Sequence, residues 1–164
     1  MEPARGLKLI CTQGGKLITE NFDEMTGVGQ FNTQEFWLAK TMGVLSTRKM
    51  IKMRICVVLD EDGKTPFFVF NREGEDWLWL HDATFHGLLD GKRFSADGQL
   101  ISSDTKVLGN TLVCMETVGV EFDKEMFEAF STFNSFKIRV GNLDFDLDYE
   151  FREAAGEMMA AIAE

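Results

Sequence analysis

Acidic side chains alternate near the C-terminus of this chain and are its most regular candidate for chemistry. Asp144, Asp146 and Asp148 occupy every second position between Asn142 and Glu150. Alternate residues of a strand share one face, so these groups would form an acidic edge facing a cation or the basic residues of a partner. Same-face neighbours lie roughly 6–7 Å apart, which is too far for one strand to chelate a cation alone. We therefore predict no metal site and interpret the edge as a solvated face or a docking face for basic residues.

Two tryptophans form the second candidate site. Trp77 and Trp79 are separated by one residue, so on a short strand both would lie on the same face. Such a pair either packs in the core or on the sheet surface, or stacks against a sugar ring or a partner side chain. Tryptophan is also enriched in interface hot spots. The hypothetical binding residues are therefore Trp77 and Trp79 together with Asp144, Asp146 and Asp148.

Signatures of catalysis are missing from the sequence. His81 and His86 are the only histidines, and a separation of five places them on opposite faces of a strand, where they form no local metal pair. Asp82 follows His81 directly and would also point away from it on a strand. There is no G-x-S-x-G, no glycine-rich phosphate loop and no C-x-x-C. We assign no catalytic residue, metal or cofactor, and an enzyme of unrecognised type is the last of the alternatives.

The charge of the chain limits its partners. The formal net charge is −10, from 17 Lys+Arg and 27 Asp+Glu. The excess lies in residues 61–164, which hold 21 acidic and 9 basic residues. Such a balance repels nucleic-acid phosphates and anionic lipids and suits a basic protein partner. A basic cluster over residues 48–54 is the exception, and we interpret it as the solvated face of a strand.

Length and composition indicate one domain over residues 1–164. The first residues lack the apolar segment of a signal peptide, which predicts a cytoplasmic protein, or a periplasmic or secreted one if a leader has been removed. No run is long enough to predict a membrane span. Cys11, Cys56 and Cys114 give an odd count and leave the state of the thiols open. The oligomeric state is open as well.

Glycine pairs that favour tight turns divide the chain into short apolar runs. Several short strands separated by turns every 8–12 residues are typical of a sandwich or barrel. Residues 77–80 are among the predicted strands, whereas residues 21–33 are predicted as a loop because they hold few apolar residues. The turn pairs are Asp62-Gly63, Asp90-Gly91, Asp97-Gly98, Gly109-Asn110 and Gly141-Asn142.

The periodicity changes in the last third of the chain. Asp123 is a candidate N-cap, and the apolar residues after it repeat at spacings of three and four, which predicts an amphipathic helix of about three turns. A hairpin around Gly141-Asn142 follows, and Asp148 is a candidate N-cap of a second amphipathic helix. The predicted fold class is α+β: mainly antiparallel β-sheet, as a sandwich or partly open barrel of roughly eight to ten short strands, with two C-terminal helices.

Three classes of function remain open. The first is a non-enzymatic acidic protein-binding module, of inhibitor, immunity or accessory type, because the charge is strongly negative and catalytic signatures are missing. The second is a β-sandwich that binds a small molecule or lipid, because 15 Phe and 9 Met could line an apolar cavity. The third is the enzyme of unrecognised type. We expect the first.

Overall fold

In the computed structural model, antiparallel sheet dominates the chain and two helices lie in its last third. The structure describes residues 6–11, 17–41 and 49–163, with side chains described for 18–38 and 50–163. Twelve strands and two helices lie within these residues, more strands than the roughly eight to ten predicted. The prediction of an α+β protein built mainly from antiparallel sheet is confirmed.

The larger sheet has eight strands. Seven follow the order β1-β2-β3-β5-β6-β10-β9, and β4 pairs with β5 on the side that β3 also uses. Thr33 lies in the gap between β3 and β4 and makes two hydrogen bonds to the backbone of Ile55. Its N–H donates to the Ile55 carbonyl at 2.9 Å, and its hydroxyl accepts from the Ile55 N–H at 3.0 Å. The strands are β1 (Gly6–Cys11), β2 (Leu17–Asp23), β3 (Val28–Asn32), β4 (Phe36–Thr41), β5 (Lys49–Asp60), β6 (Gly63–Gly74), β9 (Gly98–Leu108) and β10 (Thr111–Glu121).

The smaller sheet has four antiparallel strands in the order β12-β11-β7-β8. As far as the described strands extend, the sheets are not closed into a barrel, so the structure does not support the barrel alternative. The sandwich arrangement stays a prediction. The strands are β7 (Phe85–Leu89), β8 (Lys92–Ala96), β11 (Phe136–Val140) and β12 (Leu143–Leu147).

Most of the glycine pairs form the predicted turns. Asp90 and Gly91 join β7 to β8 with φ angles of 49° and 83°, a left-handed conformation that suits a two-residue hairpin. Asp97-Gly98 is different, because it connects β8 of the smaller sheet to β9 of the larger one and is not a hairpin. The loop predicted over residues 21–33 is wrong, because β2 continues into it and all of β3 lies inside it.

Phenylalanine rings connect the two sheets in the core. Phe68 of the larger sheet is fully buried. Its ring lies 6.1 Å from that of Phe85 in the smaller sheet and 5.3 Å from that of Phe151 in the second helix. Edge and tilted contacts of this kind add to the burial of apolar area. Phe68 therefore contacts both of the other phenylalanines across the core.

The two helices begin where the sequence predicts. The Asp123 carboxylate accepts the Met126 N–H at the start of α1 (Lys124–Ala129), and Asp148 caps α2 (Tyr149–Ile162) in the same way. Helix α1 has six residues, so the prediction of about three turns is wrong. Helix α2 buries Phe151 and three further residues, Ala154, Ala155 and Met158.

Candidate functional site

The segment that carries the two tryptophans, residues 75–84, is a loop and is called the tryptophan loop here, so the prediction of a strand over residues 77–80 is wrong. Trp79 is 1% exposed, and its indole N–H donates to the Val140 carbonyl at 3.3 Å. Trp77 is half-buried. The two side chains therefore do not share a strand face, and Trp79 belongs to the core.

A buried ion pair holds this loop against the sheet. Arg72 and Glu116 face each other on β6 and β10, 2% and 1% exposed, with an N–O distance of 2.7 Å. The Glu116 carboxylate also accepts the backbone N–H groups of Leu80 at 2.7 Å and Leu78 at 3.3 Å. Arg72 further donates to the Asp76 carbonyl at 2.7 Å and to its carboxylate at 2.9 Å. These bonds satisfy both buried charges, as burial requires, and they assign the pair a structural role.

The predicted acidic edge is divided among different structural roles. Asp144 lies opposite Arg139 and accepts from its guanidinium at 2.5 and 3.0 Å. Hydrogen bonding to Arg139 lowers the pKa of Asp144, and the same contact raises the pKa of Arg139. The Asp148 carboxylate caps α2 by accepting the Phe151 N–H at 3.2 Å. Asp146 is exposed on β12 opposite Lys137. Among the described side chains, no group of three His, Cys, Asp or Glu is placed to hold a metal ion.

The solvent-facing side of the smaller sheet carries basic side chains that the sequence did not single out as a site. Cross-strand pairing places its side chains in two rows around an open depression of about 590 Å³. The first row runs Asp144, Arg139, His86 and Ser95, and the second runs Asp146, Lys137, Leu88 and Arg93. The alternating acids of β12 are thus the outer column of a mixed surface with basic residues beside them.

Neither histidine is arranged for nucleophilic catalysis in the described part of the chain. His86 lies on the solvent-facing side of the smaller sheet. The pKa of the nearby Asp82 is lowered chiefly by the backbone N–H of Thr84, with the smallest contribution from His86. His81 is exposed in the tryptophan loop. Among the described residues, no hydrogen bond joins a serine or cysteine side chain to either histidine.

Two of the three cysteines are buried as free thiols, Cys56 and Cys114. Burial raises the pKa of the Cys56 thiol, although the nearby charge of Arg54 opposes this effect. The side chain of Cys11 lies outside the described residues. A raised pKa keeps a thiol protonated and unreactive near neutral pH, so Cys56 acts as a small core residue.

The long strand β9 forms one edge of the larger sheet, a position that the sequence does not reveal. It pairs with β10 on one side and has no strand on its other side among those described. Ile101 is 61% exposed and Val107 is 68% exposed. Val107 lies directly opposite Leu112, which is 56% exposed on β10. An exposed edge with apolar side chains is a template for pairing with another chain.

No protein-family model, curated protein or solved structure matches this chain. In the described part of the chain, neither helix is long and apolar enough to cross a membrane. The function is therefore inferred from the surfaces of the molecule alone.

Proposed function

We propose that the chain is a non-enzymatic module that binds a basic protein through the free edge of β9. The observation that carries this function is the eleven-residue edge strand with an unpaired side and exposed apolar side chains. An extended segment of the partner would add to the sheet as a further strand. Its main chain would supply the hydrogen bonds, and its alternate side chains would contact the apolar groups.

The side chains of β9 are apolar near both ends of the strand and polar over residues 102–106. Ile101 occupies a bulge opposite Thr117 and Val118, and its side chain lies over Gly119, where a Cβ would come within 2.8 Å of it. Lys106 is a residue type that often blocks strand edges, but its ammonium is bound to Glu73 at 2.7 Å. The edge therefore presents apolar side chains at both ends, with its lysine held by β6.

Charge complementarity favours a basic partner. The strand register places the start of β9 at the same end of the larger sheet as the turns β2–β3 and β5–β6 and the end of β10. A partner approaching that end meets a negative potential, which speeds association and makes it sensitive to salt. The same charge opposes pairing of the edge with a second copy of the chain. The acidic residues at this end are Asp23, Glu24, Asp60, Glu61, Asp62, Asp97 and Glu121.

The edge can be tested by adding one charge to it. Capture from native lysate at low salt, repeated with Val107→Lys, should show about tenfold weaker retention of a basic protein. Tyr149→Lys is the matched control, because Tyr149 is 59% exposed at the start of α2, outside both the β9 edge and the acidic end of the larger sheet. Hydrogen exchange of the captured complex should show new protection on β9.

Two results would contradict this function. Equal capture by wild type and Val107→Lys, with β9 amides unprotected, would place the binding surface elsewhere. Light scattering of the purified chain should show a monomer. A dimer that Val107→Lys dissociates would instead identify a second copy of the chain as the occupant of the edge.

A further inference from the structure

We propose that the solvent-facing side of the smaller sheet is a binding site for a small dianion. Its two oxyanion groups, carboxylate or phosphate, would contact Lys137 and Arg93 on either side of Leu88. The site consists of a cationic face, defined here as Arg93, Lys137 and Arg139. Together with His86, Asp144 and Asp146, these residues line one open depression of about 590 Å³, a volume in the range of small-molecule sites.

Strand register sets the geometry of the cationic face. Lys137 pairs with Leu88, and Leu88 pairs with Arg93, so the two cations are separated by two strand spacings, about 9–10 Å at the backbone. Both long side chains can lean inward over Leu88, which is half-buried and offers an apolar contact. A ligand with two anionic groups joined by a short carbon chain or a bridging oxygen matches this spacing better than a single small ion.

The charges on this face are only partly neutralised within the molecule. Arg139 is bound to Asp144. Lys137 lies opposite Asp146 in the register, yet no ion pair forms between them, and Arg93 has no ion-pair partner among the described residues. In a chain with ten more acids than bases, two cations in one depression that form no ion pair within the described part of the chain mark a local positive surface. Arg93 can bind an oxyanion with two parallel hydrogen bonds, and Lys137 as a point charge.

The site can be tested by titrating the isotope-labelled protein with pyrophosphate and with adipate at constant ionic strength. Amide shifts should change on β7, β8 and β11, and acetate should cause much smaller changes. Arg93→Gln combined with Lys137→Gln should weaken binding about tenfold. Lys92→Gln removes the same charge from the neighbouring position of β8, which belongs to the opposite face of that strand, and should leave affinity unchanged.

Asp146→Asn separates a binding role from a merely structural one. Removing this carboxylate from the depression should strengthen dianion binding about threefold. Binding that is equal in wild type and the Arg93/Lys137 double variant, or no shift up to about 10 mM ligand, a concentration that would reveal millimolar affinity, would overturn the site. Response to pyrophosphate alone would show that two carboxylates carry too little charge for the site, and response to both probes would show that charge and spacing are sufficient. Capture of a basic protein by β9 does not depend on either result.

Discussion

Removing the charge of Glu116 should destabilise the protein strongly although it changes no apolar contact. Glu116→Gln keeps the shape of the side chain but removes the buried counter-ion of Arg72, which is then paired only with Asp76 among the described residues. The new amide group also brings a donor into a site where Leu78, Leu80 and Arg72 already donate. Breaking one partner of a buried pair typically costs about 3–5 kcal/mol. We expect about 3 kcal/mol, because Asp76 still accepts from Arg72 at 2.9 Å.

Urea unfolding followed by circular dichroism measures this cost. A loss of about 3 kcal/mol is a large part of the 5–15 kcal/mol that holds a typical domain together. It should lower Tm by about 6–12 °C in a chain of this size. Arg72→Met should be costly as well, because it leaves the Glu116 carboxylate buried. The double variant Arg72→Met with Glu116→Leu should cost less than the sum of the single variants, because no buried charge remains.

Hydrogen exchange shows whether the ion pair holds the tryptophan loop. The amides of Leu78 and Leu80 donate to Glu116. Relative to wild type, Glu116→Gln should therefore speed exchange at these two amides more than at the amides of the β5–β6 ladder. Glu116→Gln within about 0.5 kcal/mol of wild type, with unchanged exchange at both amides, would refute a structural role for the pair.

Three further predictions concern single side chains. Gly87→Ala places a Cβ 2.2 Å from the ring of Phe94, so it should cost about 1–3 kcal/mol in thermal unfolding, and Phe94→Leu should recover part of it. The pKa of Cys56 is raised by burial, so its thiol should react slowly with Ellman's reagent at pH 8. The stability that the protonated thiol contributes should be lost as pH rises above the ordinary thiol pKa. Rapid labelling of Cys56 in the native state, assigned by mass spectrometry, would contradict this. The pKa of Asp144 is lowered by Arg139, so its carboxyl should titrate below 3.8 by NMR. The small contribution of this ion pair to stability should be lost as pH falls through that midpoint. Arg139→Gln should raise the midpoint again.

Local turn chemistry could be predicted from the sequence, but the destination of each strand could not. Asp90-Gly91 and Asp97-Gly98 are the same dipeptide, yet only the first forms a hairpin. At Gly98 a Cβ would lie 1.9 Å from the Ala83 carbonyl oxygen, so this glycine permits a close backbone approach where the chain crosses between sheets. A dipeptide reports the conformation that it tolerates and does not report which sheet follows it.

Long-range contacts explain the failure at the tryptophans. Trp77 and Trp79 have the period of a strand, but the backbone around them is bound by Glu116, which is 36 residues beyond Leu80. A usable signal was nevertheless present. Arg72 continues the alternate-residue face that holds Phe68 and Phe70, and a charge on an otherwise apolar strand face indicates a buried partner.

The net charge of the chain agrees in sign with the acidic end near β9 but not with the cationic face of the smaller sheet. The acids of β12 lie beside the basic residues of β11, whereas the acids at the turns of the larger sheet lie near the start of β9. The two surfaces therefore have opposite local sign and lie on different sheets. A dianion on the cationic face and a basic protein at β9 should bind without competing, so saturating pyrophosphate at constant ionic strength should leave capture unchanged. Release of the partner by pyrophosphate from wild type, but not from the Arg93/Lys137 double variant, would mean that dianion binding at the cationic face disturbs capture and that the two surfaces are not independent.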